Sequence, residues 1–408
     1  MEYIGDLQGV NVDYIRKLNM RIVLEMIKQQ GPISRAGLSR NLNLSPPTIS
    51  SLVQSLKRVG LVVDADEVIP NRGRPPQLVQ YNEHAGYVLG MEVKTTSIRV
   101  ALATLQGHMI DSLEEPHDRY IGAAASFDQC QKAIKNLIGN HQIPQSEILA
   151  LSIAVPGIIN SKTNEVIFAK NLMNWHDIPL GKLFNETLKM PVTVENDFRC
   201  GAIGEFAYGA AKGYKSFVFL GLCEGVGSAI MIEGNLMRGH HFLSGEIGYM
   251  STRLVYEDGT AHDRDYLENH IGIGRIREIL LESRSRGKRS ALLQNNLVPD
   301  QTITIEAILH HAAQKDDLAM EIFRHVTRGL AFAIANIAVV CDPPLVVLCL
   351  NNSDQGKSLL TSIQNQLKDQ IPFQPELVLS TLGQDGILAG AIYRATQIAE
   401  EGLLADIA

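Results

Sequence analysis

From Tyr87 onward the chain writes one order of elements twice. "YVLGMEV" and "IRVALATL" alternate like two strands joined by the turn Lys94-Thr95-Thr96-Ser97, and "HMIDSLEE" reads as a third strand. A helix over about residues 126 to 139 and the strand "ILALSIAV" complete the first copy. The second begins at "SFVFLGL", passes through "VGSAIMI" and "NLM", and after a helical stretch reaches a long apolar helix at about 321 to 340 and the strand "PLVVLCL". Two α/β lobes of one topology imply a cleft between them. The large part of the molecule is thereby restricted to a two-lobed α/β fold, with lobes over residues 83–195 and 196–408, the second carrying a helical insert.

Residues 1–82 have a different texture. Apolar positions Ile15, Leu18, Ile22, Val23, Met26 and Ile27 recur at helical spacing until Gly31-Pro32 stops them. Ser34 caps a short helix, "RAGLSRNL"; after the turn "NLS", Ser45 caps another with Pro46 at its first position, where a missing N–H costs nothing. In that last helix Ile49, Leu52, Val53 and Leu56 must face inward, leaving Thr48, Ser51, Gln54 and Ser55 on the other face and Lys57 and Arg58 near the end. Two short helices joined by a tight turn, the second with small polar residues outward, is a helix-turn-helix arrangement. Its polar face suits base edges, and Arg35, Arg40, Lys57 and Arg58 suit phosphates. "GLVVDADEVIPNRGRPPQLVQYN" then alternates like two strands with a long tip, in which Arg72, Gly73 and Arg74 fit a narrow minor groove. The unit reads as a winged helix-turn-helix that binds double-stranded operator DNA; the plain alternatives are a three-helix bundle with a solvated face and a linker.

Charge agrees with this division. Residues 1–80 hold ten Lys/Arg against seven Asp/Glu, while the remainder, with 27 against 37, carries all the excess acid of a chain whose net charge is −7. A nucleic-acid coat over the whole surface is excluded. The five cysteines are scattered with no C-x-x-C spacing, which argues against a disulfide framework or a thiolate zinc site. The N-terminus lacks the apolar core of a signal peptide, and the run "GLAFAIANIAVVC" is short for a membrane span, so a cytoplasmic location is expected.

Within the lobes, "VENDFRCGAIGE" runs a strand end straight into Asn196 and Asp197. An acid at the carboxyl end of a strand is where α/β proteins place a base or a ligand contact, although a helix cap also explains Asp197, and a surface acid explains Glu246.

"LSIAVPGIIN", "VENDFRCGAIGE", "SGEIGYM", "YLE" and "LGQDGILAGAI", in this order and following an NRGRP tip, resemble the ROK family of repressors, open reading frames and sugar kinases. The chain is most similar to the family's DNA-binding branch, the Mlc and NagC type of sugar-responsive repressor. The resemblance implies an actin-like, hexokinase-like ATPase fold with sugar held by Gly157, Asn196, Asp197, Glu246, Tyr249 and Glu268. Carboxylates and an amide suit vicinal hydroxyls. In the kinase members the acid at position 197 takes a proton from the attacking hydroxyl.

Two departures matter. The kinase phosphate turn is glycine-rich so that backbone N–H groups reach the phosphates; here "MEVKTTSIRV" puts Glu92, Lys94 and Thr95 there, and "CLNNSD" replaces a later glycine-rich run, although Gly225 and Gly227 remain. The family's His-Cys-Cys-Cys zinc site has Tyr249 at its histidine and no cysteine, so tetrahedral thiolate zinc cannot form. His240, His241, His262, Asp258, Asp263 and Asp265 are ligand-type residues on what reads as a solvated loop; no metal and no cofactor are expected. The expected function is a non-catalytic repressor of sugar uptake or metabolism genes that senses a sugar or sugar phosphate. A homodimer or tetramer would present two heads to a palindromic operator, and a membrane sugar transporter component is a further expected partner. The alternatives are a bifunctional sugar kinase with a DNA-binding domain and a regulator whose cleft is vestigial.

Overall fold

Serine caps set the N-terminal unit. The computed structural model describes residues 12–65, 77–222, 225–252, 266–295, 304–350, 354–405 and 407. Helix α1 (Val12–Gln30) is followed by β1 (Ile33–Ser34), α2 (Arg35–Leu42) and α3 (Pro46–Arg58). Ser34 accepts the Gly37 N–H at 3.0 Å and Ser45 that of Thr48 at 3.3 Å, satisfying donors that the first helical turns leave open. Strands β2 (Val62–Asp64) and β3 (Leu78–Tyr81) pair antiparallel, and β1 joins the other edge of β3. The hairpin tip with Arg72, Gly73 and Arg74 lies outside the described residues. Ile49, Leu52, Val53 and Leu56 are buried, as their spacing requires.

The first lobe's sheet contains β4 (Tyr87–Val93), β5 (Ser97–Thr104) and β6 (Met109–Pro116), then α4 (Gly122–Asn140) and β7 (Ile148–Val155). Strands β8 (Ile158–Asn160), β9 (Glu165–Phe168) and β10 (His176–Ile178) form a small side sheet, and α5 (Leu180–Leu188) leads to β11 (Val192–Asn196) and α6 (Asp197–Tyr208). The main sheet has the order β11-β7-β4-β5-β6. Its parallel strands are covered on both faces, so β7 is apolar nearly throughout, while the edge strand β6 is mostly exposed and carries Asp111, Glu114 and Glu115.

The second lobe repeats the plan with β12 (Phe217–Leu222), β13 (Val226–Ile232) and β14 (Asn235–Leu236). Helices α7 (Leu267–Ile271), α8 (Ile273–Ser285), α9 (Ala291–Asn295), α10 (Ile305–Ala313) and α11 (Asp317–Cys341) follow. Then come β15 (Leu345–Cys349), α12 (Asp354–Leu367), β16 (Glu376–Leu379) and α13 (Asp385–Ala405). Its sheet order, β14-β13-β12-β15-β16, matches that of the first lobe. Helix α11 extends well beyond its apolar run, and at 25 residues has the length and apolarity of a membrane span. Leu318, Ile322, Val326, Leu330 and Ile334 nevertheless sit in the second lobe's core.

Helix α13 corrects the sequence division. The boundary at 195/196 assigns it to the second lobe, but Leu388, Ile392, Ala395 and Ala399 pack with Val88, Ala101, Ala103 and Ala150 of the first sheet. The same core continues into Met20, Val23, Leu24 and Ile27 of α1. An apolar helix pattern reports that a face is buried and says nothing of which sheet buries it. Gly90 of β4 leaves the space α13 needs, since a Cβ there would stand 2.7 Å from the Ile392 Cγ1.

Candidate functional site

Asn196 closes β11 and is the N-cap of α6. Its Oδ1 accepts the Arg199 N–H at 3.1 Å and its Nδ2 donates to the Gly157 carbonyl at 2.9 Å. The capping role considered for Asp197 therefore belongs to its neighbour. Asp197 is the first helical residue, where the helix dipole favours an anion, and it lines the cleft. Gly157 has φ +116°, and a Cβ on it would meet the Phe168 carbonyl oxygen at 2.3 Å, so the turn between β7 and β8 admits only glycine.

Glu246 reaches the cleft through a buried ion network that the sequence reading missed. Arg199, 1% exposed, lies 3.4 Å from Glu195 and donates to the carbonyls of Phe242 at 2.6 Å and Ser244 at 3.2 Å. Glu195, 2% exposed, also receives Arg238 Nε at 3.0 Å and Nη2 at 2.7 Å. The strand-to-helix junction thus grips the segment from Arg238 to Glu246. The visible signal was an acid and a base four residues apart, Glu195 and Arg199, flanking the Asn196-Asp197 junction between a valine-rich strand and a Gly-Ala run. Glu205, fully buried at the end of the same motif, accepts from Ser380 and from the Leu382 N–H at 3.2 Å, fixing the loop that brings Gly383 and Gln384 to the cleft.

Gly157, Asn196, Asp197, Glu246, Tyr249 and Glu268 all line one cavity of about 260 Å³ between the lobes. Tyr249 is 42% exposed and packs edge-on against Tyr266, while Lys170 lies 3.8 Å from Glu268 at the rim. Burial, with the charge of Asp197 beside it, pushes the Glu246 carboxyl up to about 7. Burial and the acids Glu246 and Glu268 likewise raise the Tyr249 hydroxyl.

At the other end, Glu92 is 2% exposed and lies 3.3 Å from Arg99 and 3.6 Å from Lys94. Burial pushes it up to about 7 against the pull of these two cations. Arg99 continues to Asp385 at the start of α13. The Lys94 carbonyl lies 2.6 Å from His117 Nδ1, whose Nε2 is 2.9 Å from the Ser126 hydroxyl, so the turn is anchored from behind. Lys94 itself lines the cavity. Gly227 has a packing reason to be glycine: a Cβ would stand 2.4 Å from the Phe198 ring, and one on Gly225 would stand 2.8 Å from Glu268. Residues 351–353 of "CLNNSD", and His262, Asp258, Asp263 and Asp265, lie outside the described residues. Among the described residues no three His, Cys, Asp or Glu side chains gather as a metal site.

On the N-terminal unit, Ser51, Gln54, Arg40 and Arg58 are exposed, and Thr48 and Arg35 are half-buried. Ser55 is a correction: it is 7% exposed and receives Arg16 Nη2 at 3.2 Å. Helix α1 crosses that flank of α3, which a single-helix reading of periodicity does not see. Lys57 is paired with Asp64, so its charge is partly engaged within the unit.

Glu246 also makes a pH-dependent prediction. Its folded value of about 7 lies above the ordinary 4.5, so folding favours the protonated form. That stabilisation is complete below about pH 4.5 and is lost as pH rises through about 7. Glu246→Gln, which keeps the neutral shape, is expected to be more stable than the parent at pH 8 by about 1–3 kcal/mol, the difference shrinking toward pH 5. Urea denaturation at several pH values checks this; parallel curves for the two proteins would exclude Glu246 as the source.

Two sheets of identical order, with acids at the strand–helix junctions around one cleft, define a sugar-kinase-like two-lobed α/β fold. The chain belongs to the ROK family, whose sequence model matches residues 88–398. It is similar to the xylose repressor of Bacillus subtilis, 26% identical over 386 residues, covering 92% of this chain and 94% of that protein. A glucokinase of Halalkalibacterium halodurans is 28% identical over 312 residues, covering 74% of this chain and 93% of the kinase. The crystal structure of a ROK family transcriptional regulator described as a homologue of E. coli Mlc superposes with a TM-score of 0.81 at 25% identity, covering 96% of this chain and 98% of that one.

Proposed function

We propose that the chain is a transcriptional repressor of sugar uptake or metabolism genes, with residues 1–82 a winged helix-turn-helix and the cleft a non-catalytic sugar sensor. What supports the reading is the pairing, in one chain, of an exposed polar face on α3 with a cleft lined by Glu92 at the end of β4 and by Lys94 in the turn after it, where the resemblance leads one to expect glycines in a kinase. The extent of the likenesses supports it, since the xylose repressor aligns along nearly the whole chain and the glucokinase along three quarters. Asp197, Glu246, Tyr249 and Glu268 grip the hydroxyls of a sugar or sugar phosphate, and Asn196 and Gly157 shape the turn that presents them. Ser51, Gln54 and Thr48 meet base edges; Arg35, Arg40 and Arg58, with Lys57 and the tip residues Arg72, Gly73 and Arg74, meet the DNA backbone and minor groove. A homodimer or tetramer in the cytoplasm sets two heads on one operator, and closure of the cleft shifts their spacing and lowers operator affinity. A membrane sugar transporter component acts as a competing partner.

Genomic fragments selected by the protein, with and without D-xylose, D-glucose, N-acetylglucosamine and their phosphates, test this directly. One fragment class is expected to bind and to be released by one sugar of the panel; failure to retain any duplex would sink the reading. Gln54→Ala is expected to relax base preference at one position of each half-site by about 1–3 kcal/mol, read by repeating the selection. The second reading, a bifunctional kinase, is favoured by the place of Asp197 in the cleft. It requires ATP-dependent phosphorylation of a sugar that Asp197→Asn abolishes.

A further inference from the structure

Helix α13 touches both ends of the molecule. Its N-terminal end lies at the cleft, where Gly383, Gln384 and Ile387 line the cavity and Asp385 is held by Arg99, the partner of Glu92. Its 21 residues extend about 30 Å at the usual helical rise. At the far end Glu400, its side chain 9% exposed, accepts Lys28 Nζ at 2.9 and 3.2 Å and the Tyr81 hydroxyl at 2.5 Å. Lys28 belongs to α1 and Tyr81 to β3, so one carboxylate gathers two separate elements of the N-terminal unit. Tyr81 also donates to the Leu105 carbonyl of the first lobe at 3.3 Å, and Lys28 stands 5.3 Å over its ring.

The helix is not free to slide. Its Gly390 meets α6 so closely that a Cβ would fall 1.8 Å from the Cys200 carbonyl oxygen, and Gly204 of α6 approaches the Gly386 carbonyl in the same way. Helix α6 begins at Asp197 in the cleft. Two helices locked backbone to backbone therefore start at the cleft, and one of them ends at the head.

We propose that Glu400, on the helix whose core already joins the first lobe to α1, is the positioning residue that pins the head to α13 through Lys28 and Tyr81. The proposal rests on the reading of residues 1–82 as a DNA-binding head. The exposed pair Arg21–Glu401, at 3.4 Å and more than half exposed on both sides, is too solvated to serve as the pin.

Hydrogen exchange of the full chain, without ligand, decides the matter. Glu400→Gln and Lys28→Met are each expected to speed exchange in α1 and β3 by about tenfold or more, leaving β4, β7 and the cleft segments at parental rates. The exchanged pair Lys28→Glu with Glu400→Lys is expected to restore much of the protection, which filling of space alone would not do. Parental exchange in the head of both single variants, or no recovery in the exchanged pair, overturns the proposal. Repeating the measurement with saturating D-xylose separates it from the functional reading. If xylose protects the cleft of the parent, the head of the parent should respond and that of Glu400→Gln should not; a response preserved in Glu400→Gln counts against the pin. If xylose leaves the parental cleft unchanged, xylose is removed as the sensed sugar, and the ligand-free comparison still decides the pin.

Discussion

Glu195→Ala is expected to destabilise the cleft domain by about 3–5 kcal/mol, the usual cost of stranding a buried charge. The carboxylate is 2% exposed and is shared by Arg199 and Arg238. Without it the Arg199 guanidinium, 1% exposed, is left among the described residues with the carbonyls of Phe242 and Ser244. Those carbonyls belong to the segment that delivers Glu246, so ligand-induced thermal protection should disappear together with stability. Arg238→Ala is the control: its side chain is 30% exposed, water can replace its contact, and the loss should be a small fraction of that in Glu195→Ala. Urea unfolding followed by tryptophan fluorescence reads both, since the single Trp175 is buried in the first lobe. Equal midpoints for Glu195→Ala and the parent would show that the network carries no stability.

Gly390→Val is the second large effect, about 3 kcal/mol or more of destabilisation, because the new branched side chain must displace the backbone of α6 at Cys200. Nothing flexible lies in the way that could move aside. Gly402, on the same helix with nothing within 4 Å of a Cβ position, supplies the contrast: Gly402→Ala is expected to be neutral or stabilising by up to about 1 kcal/mol from helix propensity. Calorimetry of the two variants beside the parent distinguishes a packing effect at one glycine from a general response of the helix.

Much of the local structure was legible because it is decided locally. The caps at Ser34 and Ser45, the inward row Ile49, Leu52, Val53 and Leu56, and the repeated order of strands follow from side-chain period and from donors that must be satisfied. What was not legible depended on a second element. Ser55 turned inward because α1 lies across it, and α13 joined the first lobe because the chain crosses back from β16. The gathering of the six cleft residues was accessible only through the family resemblance, since no spacing in the sequence links Gly157 to Glu268. The roles of Glu195, Arg199 and Glu205 were missed although they stood inside the very motif that drew attention. Buried one at a time, Glu195, Arg199 and Glu205 would be expensive, and that cost was itself the sign that they neutralise one another or tie down a loop.

The ring of Phe198 sits against Gly221 and Gly227, at distances that leave no room for a methyl group on either. Gly227 is one of the two glycines that the family resemblance would read as a phosphate cradle. In this protein an aromatic side chain is enough to require glycine there, so its presence is not by itself a sign that a nucleotide is held. A search that scores kinases by glycine alone would be counting seats for phenylalanine.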